Sequence, residues 1–168
     1  PADCIFITCT HTHTGPEVNL NRKILPEKQE AYFPFFCSRL TDAAMFALAD
    51  LKPARMGFGI GQAPNIAFVR RFRMKDGKVR TNPGVGNPDI LHPIGEVDER
   101  VSVVRFDREG GETIVLANIG IHPDTVGGNN ISADWPGFVR RFVESDRPDV
   151  ACLCMVGCQG DSNHKNYL

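Results

Sequence analysis

The chain has 168 residues, 42% of them apolar and 23% charged, with a formal net charge of −1. That balance suits one globular unit with a sizeable core. It offers no general attraction to nucleic acid or anionic membrane, and no run of about 18 apolar residues marks a transmembrane helix. PADCIFITC at the start has neither an initiator Met nor the features of a signal peptide, so the compartment stays unknown. GDSNHKNYL stops directly after a strand-like run. We expect residues 1–168 to be part of a single domain, a fragment of a longer chain.

In chain order, residues 4–10 (CIFITCT) read as a buried strand, with HTHTGP as the loop at its C-terminal end. Ser38 is placed to cap a helix running to about Leu51, with Leu40, Ala44, Ala47, Leu48 and Leu51 at helical spacing. Residues 54–60 can form a strand. NIAFVRRFRM, KDGK and VRT then suggest a hairpin on a type I′ Asp-Gly turn. If residues 65–74 are continuous strand, Ile66, Phe68, Arg70, Phe72 and Met74 share a face, and Arg70 must find an anionic or carbonyl partner. Arg71 and Arg73 fall on the other face, as part of a solvated basic hairpin.

TNPGVGNPDILHPIGEVD reads as an irregular loop containing His92. VSVVRF, DREGGE and TIVLANIGI form a second hairpin, and HPDTVGGNNIS leads into a helix from about Asp134. There Trp135, Phe138, Val139, Phe142 and Val143 make one apolar stripe. DVACLCMVG is a last buried strand before CQGDSNH. This mixture predicts an α/β fold, a layered domain with a mixed β-sheet covered by helices and incomplete at both ends.

Cys4, Cys9, Cys37, Cys152, Cys154 and Cys158 sit mostly in apolar runs, which reads as reduced core thiols. CLCMVGC with His164 is the alternative, a metal site, but its spacing fits no zinc-ribbon pattern.

Three polar loops follow three apolar strands: HTHTGP, HPDTVGGNN and QGDSNH. If those strands are parallel neighbours, the loops meet at their carboxyl ends, where open α/β sheets collect ligands. His11 and His13, one residue apart, either bind one metal together, or divide into a ligand and a working neighbour, or are a structural pair. His122 alone reads as a satisfied loop histidine. GCQGDSNH lacks the Lys and Ser/Thr of a phosphate loop. Asp161, after Gly160, reads as a turn former that also orients a neighbouring histidine.

THTHTGP, FVRR with RMKDGKVRTNPGVGNPD, IHPDTVGG with ISADWPG, and GCQGDSNH, in that order, resemble the catalytic domain of the neutral/alkaline ceramidase family, especially its compact bacterial members. The resemblance runs over nearly the whole chain. It implies a zinc-dependent amide hydrolase in which His11 and His122 are metal ligands, His13 assists the chemistry, and Arg70 lies near the substrate. Val69 stands where the family has Asn before that arginine. The family's remaining ligands, a glutamate and a tyrosine, fall after residue 168. Asn163 takes the place of a serine once proposed as nucleophile, with Ser162 in the preceding position, which argues against a serine nucleophile here.

The expected function is zinc-assisted hydrolysis of an amide in a small-molecule or lipid N-acyl substrate by metal-activated water. The alternatives are a TIM-barrel metal amidohydrolase, whose first strand also ends in HxH, and a non-catalytic binding domain. The two hairpins argue against the barrel, which alternates strand and helix.

Overall fold

A computed structural model describes residues 5–18 and 26–168. In chain order the elements are α1 (Pro26–Ala49), β1 (Ala54–Gln62), β2 (Phe68–Val69), β3 (Arg71–Met74), β4 (Val79–Thr81), β5 (Ile90–Pro93), β6 (Arg100–Arg108), β7 (Thr113–Ile119), α2 (Asp134–Ser145), β8 (Val150–Val156) and β9 (Ser162–Asn163). The main sheet has the order β1-β6-β7-β8. Its first two pairings are antiparallel and β7–β8 is parallel, so the sheet is mixed and the fold α/β, as expected. The antiparallel β1–β6–β7 run is incompatible with a TIM barrel.

β7 is buried or half-buried along its whole length because it is an interior strand, and TIVLANI supplies the nearly continuous apolar run such a strand needs. α2 packs on β8. From it Trp135 and Val139 reach a core of Ala67, Ile119 and Ile121. The expected stripe is narrower than its sequence: Phe138 and Phe142 are exposed, since a helix lying over the edge strand meets the sheet along only one side. The Arg141 guanidinium lies 4.5 Å above the Phe138 ring and covers part of it.

A second sheet, β4-β3-β5, encloses Phe72, Met74 and Tyr167, whose hydroxyl donates to Asn82 Oδ1 at 2.9 Å. The predicted hairpin is β3–β4, but its turn differs. The Gly77 N–H donates to the Met74 carbonyl, and of the turn residues only Gly77 has positive φ, at 79°. This is a type I turn closed by a left-handed glycine, the other common solution for a short hairpin. The supposedly continuous strand 65–74 is interrupted at Arg70, so that β2 pairs with β9 while β3 pairs with β4 and β5. His92 lies in β5 rather than in an irregular loop, because that segment supplies the third strand of the small sheet.

Two other expectations are corrected. Residues 5–10 form no strand, and Ile5, Phe6 and Ile7 are exposed. The apolar run has the pattern of a strand, but the main sheet ends at β8 and no ladder extends to it among the described residues; Cys4 lies outside them. α1 begins at Pro26 rather than at Ser38. Glu27, in its first turn, complements the positive end of the helix. Ser38 instead lies mid-helix, and Leu40, Leu48 and Leu51 of the expected stripe are exposed.

All five described cysteines are free, with Cys152 buried in the core and Cys154 half-buried. Burial, with the neighbouring Cys152, pushes the Cys154 thiol up to about 11. Cys9, Cys37 and Cys158 are exposed because their segments lack a covering partner, so the core-thiol reading fails for them. No helix among the described residues is long and apolar enough to cross a membrane.

Candidate metal and active site

Parallel pairing sends β7 and β8 out of the sheet in the same direction. Beyond β7, residues 120–123 are buried; beyond β8, residues 157–163 run beside them. Their backbones come so close that a side chain on Gly120 would stand 3.1 Å from the Cys158 carbonyl. Ser162 Oγ donates to the Gly120 carbonyl at 2.9 Å and ties the two loops together.

His122 sits in this seam, 5% exposed. Its Nδ1 lies 2.5 Å from Gln159 Oε1 and its Nε2 lies 3.0 Å from His13 Nε2. The His11 ring stands edge-on to both others, with centroids 4.8 Å from His122 and 5.2 Å from His13. One candidate ligand atom from each of the three histidines lies within 4.8 Å of the other two. CLCMVGC and His164 form no such cluster among the described residues. His164 Nδ1 instead faces Asp124 Oδ1 at 3.2 Å, without hydrogen-bond geometry.

The HTHT segment reaches the site by alternation around a sharp bend. His11 has φ of 56°, a left-handed conformation that costs a residue with a Cβ about 1–2 kcal/mol, so the pair is not on extended backbone. Both histidines line a cleft of about 350 Å³ with Thr12, Gly15, Pro16 and Glu17. The threonine hydroxyls are engaged with the loop before α2: those of Thr12 and Thr14 donate to the Ser132 carbonyl at 2.9 and 3.3 Å.

Two residues on, Asp134 is 1% exposed and accepts from the Thr125 hydroxyl and the N–H groups of Val126 and Trp135. Burial alone would raise its carboxyl. The hydrogen bonds from Thr125, Val126 and Trp135 outweigh that and hold it below the ordinary carboxylate range. The start of α2 thus clamps both histidine-bearing loops. In the sequence the only signal for these threonines is the H-T-H-T alternation, and Asp134 reads simply as a helix start.

Arg70 finds the carbonyl partner its position demanded. Its Nε and Nη2 both donate to the Gly160 carbonyl, at 3.0 and 2.7 Å, and its N–H to the Asp161 carbonyl. The Asp161 carboxylate is exposed; the side chain that meets a histidine in this loop is Gln159. Ser162 and Asn163 are buried in structural bonds, the Ser162 hydroxyl to Gly120 and Asn163 Oδ1 to the Lys165 N–H. His92 is exposed in β5, its Nδ1 2.9 Å from the Pro93 carbonyl and apart from the cluster.

No protein-family model matches the chain, and no curated protein matches it in sequence. Solved structures similar in fold include a ceramidase complexed with C2 (TM-score 0.67) and the neutral ceramidase from Pseudomonas aeruginosa (TM-score 0.64), each 22% identical. The chain has the fold of part of a ceramidase. The matches cover 92% and 91% of this chain and 24% of each ceramidase, so it spans about a quarter of their length. At this identity the ceramidase likeness is one of fold, and it does not single out the compact bacterial proteins.

Proposed function

We propose that the protein is a zinc-dependent hydrolase of an amide bond, ceramidase-like, acting on a lipid or small N-acyl substrate. The observation that carries this reading is the convergence of His11, His13 and His122 within 4.8 Å at the carboxyl ends of β7 and β8. The donor set suits zinc, for which imidazole is a preferred ligand. His11 and His122 hold the ion, with the remaining ligands supplied from outside these residues. When bound, zinc polarises a carbonyl and lowers the pKa of water toward about 7.

His13, in contact with His122, donates a proton to the leaving amine or the developing oxyanion, a role worth about 10²- to 10⁴-fold. Arg70, fixed by two bonds to the Gly160 carbonyl, orients a polar group of the substrate. Gly160 and Asp161 hold that arginine through their main chain.

The 3.0 Å approach of His13 to His122 favours a second reading, in which His13 is itself the third ligand. His13→Ala separates the two: retained zinc with lost activity makes it the proton donor, and lost zinc makes it a ligand. The main test measures zinc content and hydrolysis of an N-acylsphingosine by the protein and by His11→Ala. Stoichiometric zinc and turnover, both abolished in His11→Ala, are expected. Full activity and retained zinc in that variant would sink the assignment, and a wild type without zinc would favour a binding domain.

A further inference from the structure

The two ring nitrogens of His122 face different chemistry. Nδ1 is met by Gln159 Oε1 at 2.5 Å and by the Gln159 main-chain carbonyl at 3.4 Å, while Nε2 points at His13. A neutral imidazole carries one N–H and one lone pair, and the partner of one nitrogen decides the state of the other. A lone pair on Nδ1 would be repelled by both oxygens, so the proton belongs there. Turning the Gln159 amide over would change one of those partners but not the main-chain carbonyl. The lone pair is left on Nε2, aimed at the point the three histidines share.

Gln159 is itself held in place. Its carbonyl accepts from the Ser162 N–H at 3.2 Å, and Ser162 Oγ bonds to Gly120, two residues before His122. The ring and its acceptor therefore sit on two loops fastened to each other.

We propose that Gln159 is a positioning residue that holds His122 in the Nδ1–H tautomer and so presents the Nε2 lone pair to the cation that His11 and His122 would hold together. The consequence for zinc rests on the function proposed above; the tautomer does not. Glutamine offers an oxygen acceptor without adding charge. Partners of this kind on ligand histidines typically alter metal affinity about 10- to 100-fold when removed.

The test reads the His122 tautomer from long-range ¹H–¹⁵N correlation spectra of the metal-free protein, above the pH at which the ring is charged. Wild type, Gln159→Leu and Gln159→Glu are compared, and zinc affinity is measured alongside by competition with a chromophoric chelator. The wild type and Gln159→Glu, which both keep an oxygen acceptor, should show the Nδ1–H form. Gln159→Leu should populate the other tautomer and bind zinc about 10- to 100-fold more weakly. A wild type in the Nε2–H form overturns the proposal without any variant, as does Gln159→Leu with unchanged tautomer and affinity. If the tautomers follow this pattern but the wild type takes up no zinc, Gln159 keeps its positioning role and the zinc reading fails. If zinc binds equally to all three proteins, the positioning role fails and the zinc reading survives.

Discussion

His122 and the His11–His13 pair reach the same point from supports of different stiffness. His122 is buried between two loops that leave a parallel strand pair together, with Gln159 against one nitrogen and Ser162 fastening the seam. His11 and His13 are exposed and belong to a segment joined to no sheet among the described residues; Thr12 and Thr14 anchor it to the main chain of one residue, Ser132, through its carbonyl and, at Thr14, its N–H. One half is set by the core, and the other is laid onto it. A cation has more to do in ordering the second half than the first.

The largest expected effect separates these halves directly. His122→Ala and His11→Gly should both abolish zinc binding, but only the first should also destabilise the metal-free protein, because it opens a buried cavity and strands the Gln159 side chain. His11→Gly should leave stability within about 1 kcal/mol of wild type, since glycine relieves the left-handed backbone. Equal losses in denaturant midpoint would show that the halves are equally structural.

Asp134→Ala should cost about 2–4 kcal/mol, because it removes a buried acceptor and leaves the Val126 and Trp135 N–H groups unpaired. It should loosen the His122 side through Thr125 and Val126. Titration gives a milder version of this loss. A carboxyl depressed in the folded state adds stability that is complete above its unfolded value of about 4 and disappears as pH falls through its folded value. Urea midpoints of the wild type should therefore drop on acidification below about pH 4, and those of Asp134→Asn should drop less steeply; identical slopes would remove Asp134 as the cause. The smallest effects belong to Thr12→Val and Thr14→Val, about 0.5–1.5 kcal/mol each, with weaker zinc binding as the more sensitive readout.

Much of the frame was legible because its signals are local. Alternation and turn residues placed the β6–β7 hairpin and β1, and the apolar spacing from Trp135 to Val143 placed α2. The meeting of the three loops was tied to three parallel neighbouring strands; only β7 and β8 are such a pair, and residues 5–10 bring His11 and His13 to the site without forming a strand. What escaped depends on partners distant in sequence. Arg70 looked like one residue in a continuous strand, yet the chain changes sheets there. The apolar pattern of residues 5–10 could not say whether a sheet edge would receive it. Gln159 has no pattern of its own, and it matters only because parallel pairing lays it beside a ring 37 positions earlier.

That pairing also governs when the site comes into being. Hairpins β3–β4 and β6–β7 close short turns and can form early, whereas β8 joins β7 only after the long connection through residues 120–149 has been gathered in, a slower step by topology. A refolding chain should regain most of its antiparallel structure before it can capture a cation. Zinc uptake that trails the recovery of strand signal would mark the histidine seam as one of the last parts of the molecule to assemble; simultaneous recovery would show that β8 docks as early as the hairpins do.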